Sequence, residues 1–247
     1  MPAILAIETS GEYCSAALID GRETVSRSAR VGNAHSERVL DMVREVTAEA
    51  GVALAACDAL AFGAGPGSFT GLRVACAVAQ GLAFGADLPV VAVGTLLALA
   101  ESLPQATRKH GLSVIVTQDA RIGELYWSAL RWHEGAWRIE VPASLSRAAA
   151  MRDELHLKGM PAFDLGCGNG WAAYGDALDG LAGCVVHRDA PAAVHVAHLG
   201  LLAWQSGEAV APEQAHPHYV RDRIAQTSIE RDAARRLRSA LPLPATS

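Results

Sequence analysis

The chain has 247 residues, of which 51% are hydrophobic, so it can bury a substantial core as one large domain or two small ones. A formal net charge of −5 excludes a protein that grips nucleic acid by itself over a broad surface. The five cysteines are odd in number, widely spaced and free of any Cys-x-x-Cys pair, so they read as small buried side chains in a reducing compartment. No basic start precedes an apolar signal core, and apolar runs such as residues 88–100 are too short to cross a bilayer, so a cytoplasmic protein is expected.

Residues 3–7 predict a strand that ends in the polar turn Glu8-Thr9-Ser10-Gly11-Glu12. Residues 14–19 predict a second strand, Asp20-Gly21 a two-residue hairpin, and residues 22–27 a third strand. Asn33 is placed to cap a helix that runs to Ala50 and stops at Gly51. Its apolar stripe is Val39, Met42, Val43, Val46 and Ala50, widened to one side by Leu40. A short strand at 59–62 leads into Gly63-Ala64-Gly65-Pro66-Gly67-Ser68-Phe69-Thr70-Gly71-Leu72-Arg73, and a helix of small residues follows. A strand, a glycine-rich turn and a helix N-terminus together make an anion site. Against that reading, the run has no lysine, matches neither the Walker pattern nor the dinucleotide fingerprint, and loses an N–H at Pro66. A tight turn beneath a closely packed helix, capped by Ser68 or Thr70, is favoured. Residues 89–93 and 96–102 predict a further strand and helix.

The same order then appears again. Strands are expected at 112–117, 123–130 and 137–141, and a helix at 146–155. Strands at 162–166 and 184–187 flank a short helix, and a last helix covers 192–206. The alternation predicts an α/β protein, and its repetition predicts two ribonuclease-H-like units in tandem with a cleft between them. The expected division is a first lobe at 1–103, a second at 104–210 and a closing segment at 211–247. Phe163-Asp164-Leu165-Gly166-Cys167-Gly168-Asn169-Gly170 mimics the first motif of S-adenosylmethionine methyltransferases, with Asp189 about where a ribose-binding acid would stand. Too little chain follows for such a domain, so the run is read as a strand-to-helix turn of the second unit.

His195 with His198 and His216 with His218 lack a third ligand at metal spacing. Arg221, Arg223, Arg231, Arg235, Arg236 and Arg238 are partly offset by Asp222, Glu230 and Asp232. They read as a solvated terminal helix in preference to a contact for nucleic-acid phosphates.

Four stretches in this order resemble the bacterial TsaB (YeaZ) family of tRNA threonylcarbamoyladenosine biosynthesis proteins. They are Ile4-Leu5-Ala6-Ile7-Glu8-Thr9-Ser10, His35-Ser36-Glu37-Arg38-Val39-Leu40, Gly65-Pro66-Gly67-Ser68-Phe69-Thr70-Gly71-Leu72-Arg73 and Asp119-Ala120-Arg121-Ile122-Gly123-Glu124-Leu125-Tyr126. Tyr219-Val220-Arg221-Asp222 is similar to the family's closing segment, so the likeness covers about 1–227. The resemblance implies the fold of the actin-like ATPase superfamily. It implies a metal-bearing paralogue, TsaD, whose helix carries a His-x-x-x-His pair. Matched from Asp87-Leu88-Pro89 onward, those positions hold Thr95 and Leu99 here. Leucine cannot ligate a metal. The implied role is therefore a partner subunit with no catalytic residue, no metal and no cofactor of its own, ATP and metal belonging to partner subunits.

In the pathway that the resemblance implies, a TsaC-type synthase makes threonylcarbamoyl-adenylate from threonine, bicarbonate and ATP. TsaD transfers the group to N6 of the adenosine next to the anticodon, the ATPase TsaE joins the assembly, and tRNA is engaged through the complex. Family members pair through helices 35–50 and 70–86, with the paralogue or with themselves. This implies an interface of His35, Val39, Leu40, Met42, Val43, Val46, Leu72, Arg73, Ala75, Cys76 and Ala79, about 800 Å² per partner at ordinary size. Val43→Glu or Ala75→Glu is expected to leave the fold intact and abolish pairing. Phosphate-handling members of the superfamily place an acid and hydroxyls where Glu8, Thr9, Ser10 and Asp119 stand. A degenerate nucleotide cleft is favoured there, and a small ATP-dependent phosphotransferase acting through Glu8 and Asp119 is the rival reading.

Overall fold

In the computed structural model, which describes residues 2–21, 23–32, 34–188 and 190–221, the strands form two five-stranded sheets of one shared order. The first sheet joins β1 (Ile4–Glu8), β2 (Tyr13–Ile19), β3 (Thr24–Arg30), β4 (Ala59–Gly65) and β5 (Val90–Gly94) as β3-β2-β1-β4-β5. The second joins β6 (Ser113–Arg121), β7 (Glu124–His133), β8 (Ala136–Arg147), β9 (Phe163–Cys167) and β10 (Ala182–Val186) as β8-β7-β6-β9-β10. In each, three strands form an antiparallel meander and the last two run parallel to the first. This is the tandem ribonuclease-H-like architecture of the actin-like ATPase fold. The parallel strands β1 and β4 are buried along their whole length, which is why their sequences do not alternate with polar residues.

Helices α1 (His35–Ala50) and α2 (Phe69–Ala86) cover one face of the first sheet. The other face is covered by α6 (Ala193–Gln205), which the sequence division assigned to the second lobe. Val196 and Ala197 join the cluster of Ile4, Ala17, Ala61 and Val91, and the Ala193 N–H donates to Ser15 Oγ at 2.9 Å. Between the sheets lies α3 (Thr95–Glu101): Ala98 joins the first lobe's cluster with α6, whereas Leu96, Leu99 and Ala100 join Val114, Val116 and Leu130 of the second. The remaining face of the second sheet carries α4 (Met151–Leu157) and α5 (Gly170–Leu178).

Two local expectations fail for identifiable reasons. The turn after β2 spans four residues, because Ile19 pairs with Thr24 and the Asp20 carboxylate accepts the Glu23 N–H at 3.0 Å. Residue 146 lies in β8 and does not start a helix. Leu145 and Ser146 pair with Tyr126 and Leu125, and Ser146 Oγ accepts from Trp127 Nε1 at 2.9 Å. Ala34 holds the N-cap position of α1 without a side-chain cap. Arg22, Asn33, Asp189, Asp222 and the arginines from Arg223 to Arg238 lie outside the described residues. Among the described residues α2 alone has the length and apolar composition of a membrane span. Its inward side, including Leu72, Ala75 and Ala79, is buried in the chain's own core.

Candidate functional site

The glycine-rich turn is a packing device. A Cβ on Gly63 would stand 1.7 Å from Glu8 Oε2, and one on Gly71 would stand 1.9 Å from the Thr9 carbonyl oxygen. Only hydrogen at Gly63 leaves room on β4 for the Glu8 side chain of β1, and only hydrogen at Gly71 lets α2 start against the turn that follows β1. Thr9 Oγ1 donates to the Gly71 carbonyl at 2.7 Å, and Ser68 Oγ caps α2 by accepting the Gly71 N–H at 3.4 Å. Glu8 and Thr9 are therefore sealed, 1% and 0% exposed. Burial pushes the Glu8 carboxyl up to about 7, and the Ser10 N–H donating to its Oε1 offsets this only in part.

Between the lobes lies a cleft of ≈ 960 Å³ that includes Ser10, Glu12 and Phe69 on one side and Gln118, Asp119 and Asn169 on the other. Of the four residues expected at a nucleotide site, Ser10 and Asp119 reach it. Asp119 is already engaged: its carboxylate accepts the Arg121 N–H at 2.8 Å and the Tyr174 hydroxyl at 2.9 Å. Its own N–H donates to Asn169 Oδ1 at 2.8 Å, tying β6 to the start of α5. Glu12 bridges the lobes, accepting from Arg30 Nε at 3.0 Å and Arg121 Nη2 at 3.2 Å. Arg30 first and Arg121 second hold the Glu12 carboxyl below the usual carboxylate range.

On α3, Thr95 is fully buried and its hydroxyl donates to the Pro66 carbonyl. Leu99 is 1% exposed within the apolar cluster that includes Val114 and Cys167, and its carbonyl accepts from Cys167 Sγ at 3.6 Å. Both side chains are committed to packing where the lobes meet.

The two long helices of the first lobe stand side by side. His35, Val39, Met42, Val43 and Val46 of α1 and Leu72, Ala75, Cys76 and Ala79 of α2 are at most 6% exposed. They form the floor beneath the helices. A glutamate at Val43 or Ala75 would therefore enter the core, which corrects the expectation that either substitution spares the fold. The surface is carried by other residues: Leu40 on α1, and Arg73, Ala77, Gly81 and Phe84 on α2, with Val74 and Val78 half-buried between them. Phe84 is 81% exposed. The sequence signal for this second stripe was available, since a helix apolar on every side expects cover on every side.

Residues 29–167 match the family model described as "TsaD: tRNA N6-adenosine threonylcarbamoyltransferase". The tRNA threonylcarbamoyladenosine biosynthesis protein TsaB of Escherichia coli (strain K12) is 35% identical over 228 residues, 90% of this chain and 96% of that one. The protein of the same name from Haemophilus influenzae is 33% identical over 230 residues, 90% of this chain and 94% of that one. The solved structure of YeaZ from Pseudomonas aeruginosa superposes with a TM-score of 0.78 at 36% identity, covering 89% of this chain and all of that one. Sharing both sequence and architecture with these relatives over most of its length, the chain belongs to the TsaB (YeaZ) family of tRNA threonylcarbamoyladenosine biosynthesis proteins.

Proposed function

We propose that this chain is the non-catalytic partner subunit in the formation of N6-threonylcarbamoyladenosine at the tRNA adenosine next to the anticodon. It docks on the metal-bearing transferase TsaD through the outer side of α1 and α2. The observation that carries this reading is the outward stripe of α2, where Ala77, Gly81 and Phe84 are exposed and continue the apolar composition of the helix, flanked by Val74 and Val78, which are half-buried against the core. The small side chains of Ala77 and Gly81 let a second pair of helices approach closely, and the exposed Phe84 gains by being covered. A homodimer through the same face is the competing pairing.

The packing of Thr95 and Leu99 supports the assignment of metal chemistry to the partner. ATP likewise belongs to partner subunits, with a TsaC-type synthase supplying the activated group, TsaE joining the assembly and tRNA engaged through the complex in the cytoplasm. The rival phosphotransferase reading rests on the ≈ 960 Å³ cleft, but Glu8, the acid it needs, lies beneath the turn and out of that cleft. Reconstitution from this chain, TsaD, synthase, TsaE and tRNA, each omitted in turn, tests the assignment. Modification is expected to fail without this chain, and the isolated chain is expected to give no heat with Mg–ATP. Full modification in its absence, or ATP turnover by the chain alone, would overturn the reading.

A further inference from the structure

The described chain ends in a strap that touches both lobes. Residues 212–215 are pinned to α2: Gln80 Nε2 donates to the Pro212 and Ala215 carbonyls at 3.0 and 3.1 Å, and Cys76 Sγ to Ala215 at 3.4 Å. The His218 N–H donates to the Ala64 carbonyl at 2.7 Å. The strap crosses the glycine-rich turn so closely that a Cβ on Gly65, whose φ is 123°, would lie 2.5 Å from the His218 carbonyl oxygen. Tyr219 then lies on Phe69 with ring centroids 5.3 Å apart, and its hydroxyl accepts from Arg73 Nε at 3.2 Å. The Arg73 guanidinium stands 3.8 Å over the same Phe69 ring. Val220 packs against the second lobe's apolar cluster. Arg221 completes the crossing, donating to the Ala120 carbonyl at 2.9 Å and pairing with Glu124 at 2.6 Å.

Arg73 takes part in two arrangements at once. It is exposed in the outward stripe of α2, and it is bonded to the strap. Two residues beyond Tyr219, Arg221 is held by the opposite lobe. We propose that the strap is a latch that couples a partner seated on the outer side of α2 to the spacing of the two lobes. The partner arm of this inference rests on the docking reading above, whereas the latch stands on the chain's own contacts. Covering α2 removes water from the Phe69–Arg73–Tyr219 stack, and a cation–π contact and its hydrogen bond both strengthen when desolvated. A firmer stack holds Tyr219, and through it Arg221, so residues 118–126 are drawn towards the first lobe. By reciprocity, loosening Arg221 weakens docking although Arg221 lies off that face.

Hydrogen exchange on the full chain, read at residues 118–126 and normalised to residues 4–8 as the gauge of global opening, tests the latch. In the chain alone, Arg221→Ala is expected to speed exchange at 118–126 about fivefold, and Arg73→Ala about twofold although Arg73 lies in the other lobe. Arg44→Ala, an exposed arginine of α1 without strap contact, is expected to change nothing. Added TsaD is expected to slow exchange at 118–126 about threefold in the unaltered chain and not in Arg221→Ala. If Arg73→Ala leaves 118–126 at the unaltered rate, or TsaD binds without slowing it, the latch is overturned and docking stands. If TsaD does not bind, the docking reading falls, and the Arg73→Ala result still decides the latch.

Discussion

In the first lobe the helices after the meander, α1 and α2, run for 16 and 18 residues; in the second, their counterparts α4 and α5 run for 7 and 9. The sheets beneath have one strand order, so the sheet alone does not demand the extra turns. Met151, Leu155, Trp171 and Leu178 of the short pair go into the core of their own lobe. At 1.5 Å per residue α2 is about 27 Å long, and along that length it presents a second apolar side away from the sheet. Duplication accounts for the architecture, and the helix surplus to it is where a partner can be held. The strand ends differ in the same spirit. Glu8 in the first lobe is sealed against Gly63, whereas Asp119 in the second stays at the cleft, bonded to Tyr174 and Arg121.

Substitutions can break this contrast at each level, and the largest effect is expected in the floor of the α1–α2 face. Val43→Glu or Ala75→Glu buries an unpaired charge and should cost about 3 kcal/mol or more, read as a lowered urea midpoint. Ala77→Glu, two residues from Ala75 and on the exposed side of α2, should stay within about 0.5 kcal/mol of the unaltered chain. A large loss of stability there would show that the outward stripe is part of the core.

Glu8 gives the next largest effect. Its carboxyl titrates at about 7 when folded and near 4.5 when unfolded. Between those values the native state binds more protons, so its contribution is whole below about pH 4.5 and is lost as pH rises through 7. The span of 7 − 4.5 units caps the effect at about 3 kcal/mol. Glu8→Gln should flatten the fall in unfolding free energy between pH 4.5 and 8 and raise stability at pH 8. An unchanged pH profile would mean that another group carries it. Thr9→Val should cost about 0.5–1.5 kcal/mol by removing the hydroxyl's hydrogen bond to the Gly71 carbonyl. Asp119→Asn, at a partly exposed ion pair, should cost no more than about 1 kcal/mol, the smallest change of the set.

Much of the frame was legible in the sequence, because strand order and repetition follow from local patterns. The hidden parts depend on distant contacts. Nothing near Gly63 reveals that its missing side chain makes room for Glu8, 55 residues earlier. The packing of α6 on the first sheet and of α3 between the two is tertiary, since an apolar helix does not declare which sheet it covers. The stripe of Val39, Met42, Val43 and Val46 is legible as apolar, and its spacing fits core or partner interface alike until the sheet beneath it makes it core. On α2 both sides are apolar, so only the position of the sheet separates Ala75 inside from Ala77 outside. Likewise the contacts of Tyr219 and Arg221 are with Phe69, Arg73 and Glu124, all about a hundred residues or more away in the chain.

Light scattering on a chromatographed mixture of TsaD with the Ala77→Glu chain probes the docking face most directly. If the outward side of α2 is where the partner sits, the altered chain keeps its native melting curve and elutes apart from TsaD, while the unaltered chain elutes with it. Undiminished co-elution of the folded Ala77→Glu chain would contradict the account.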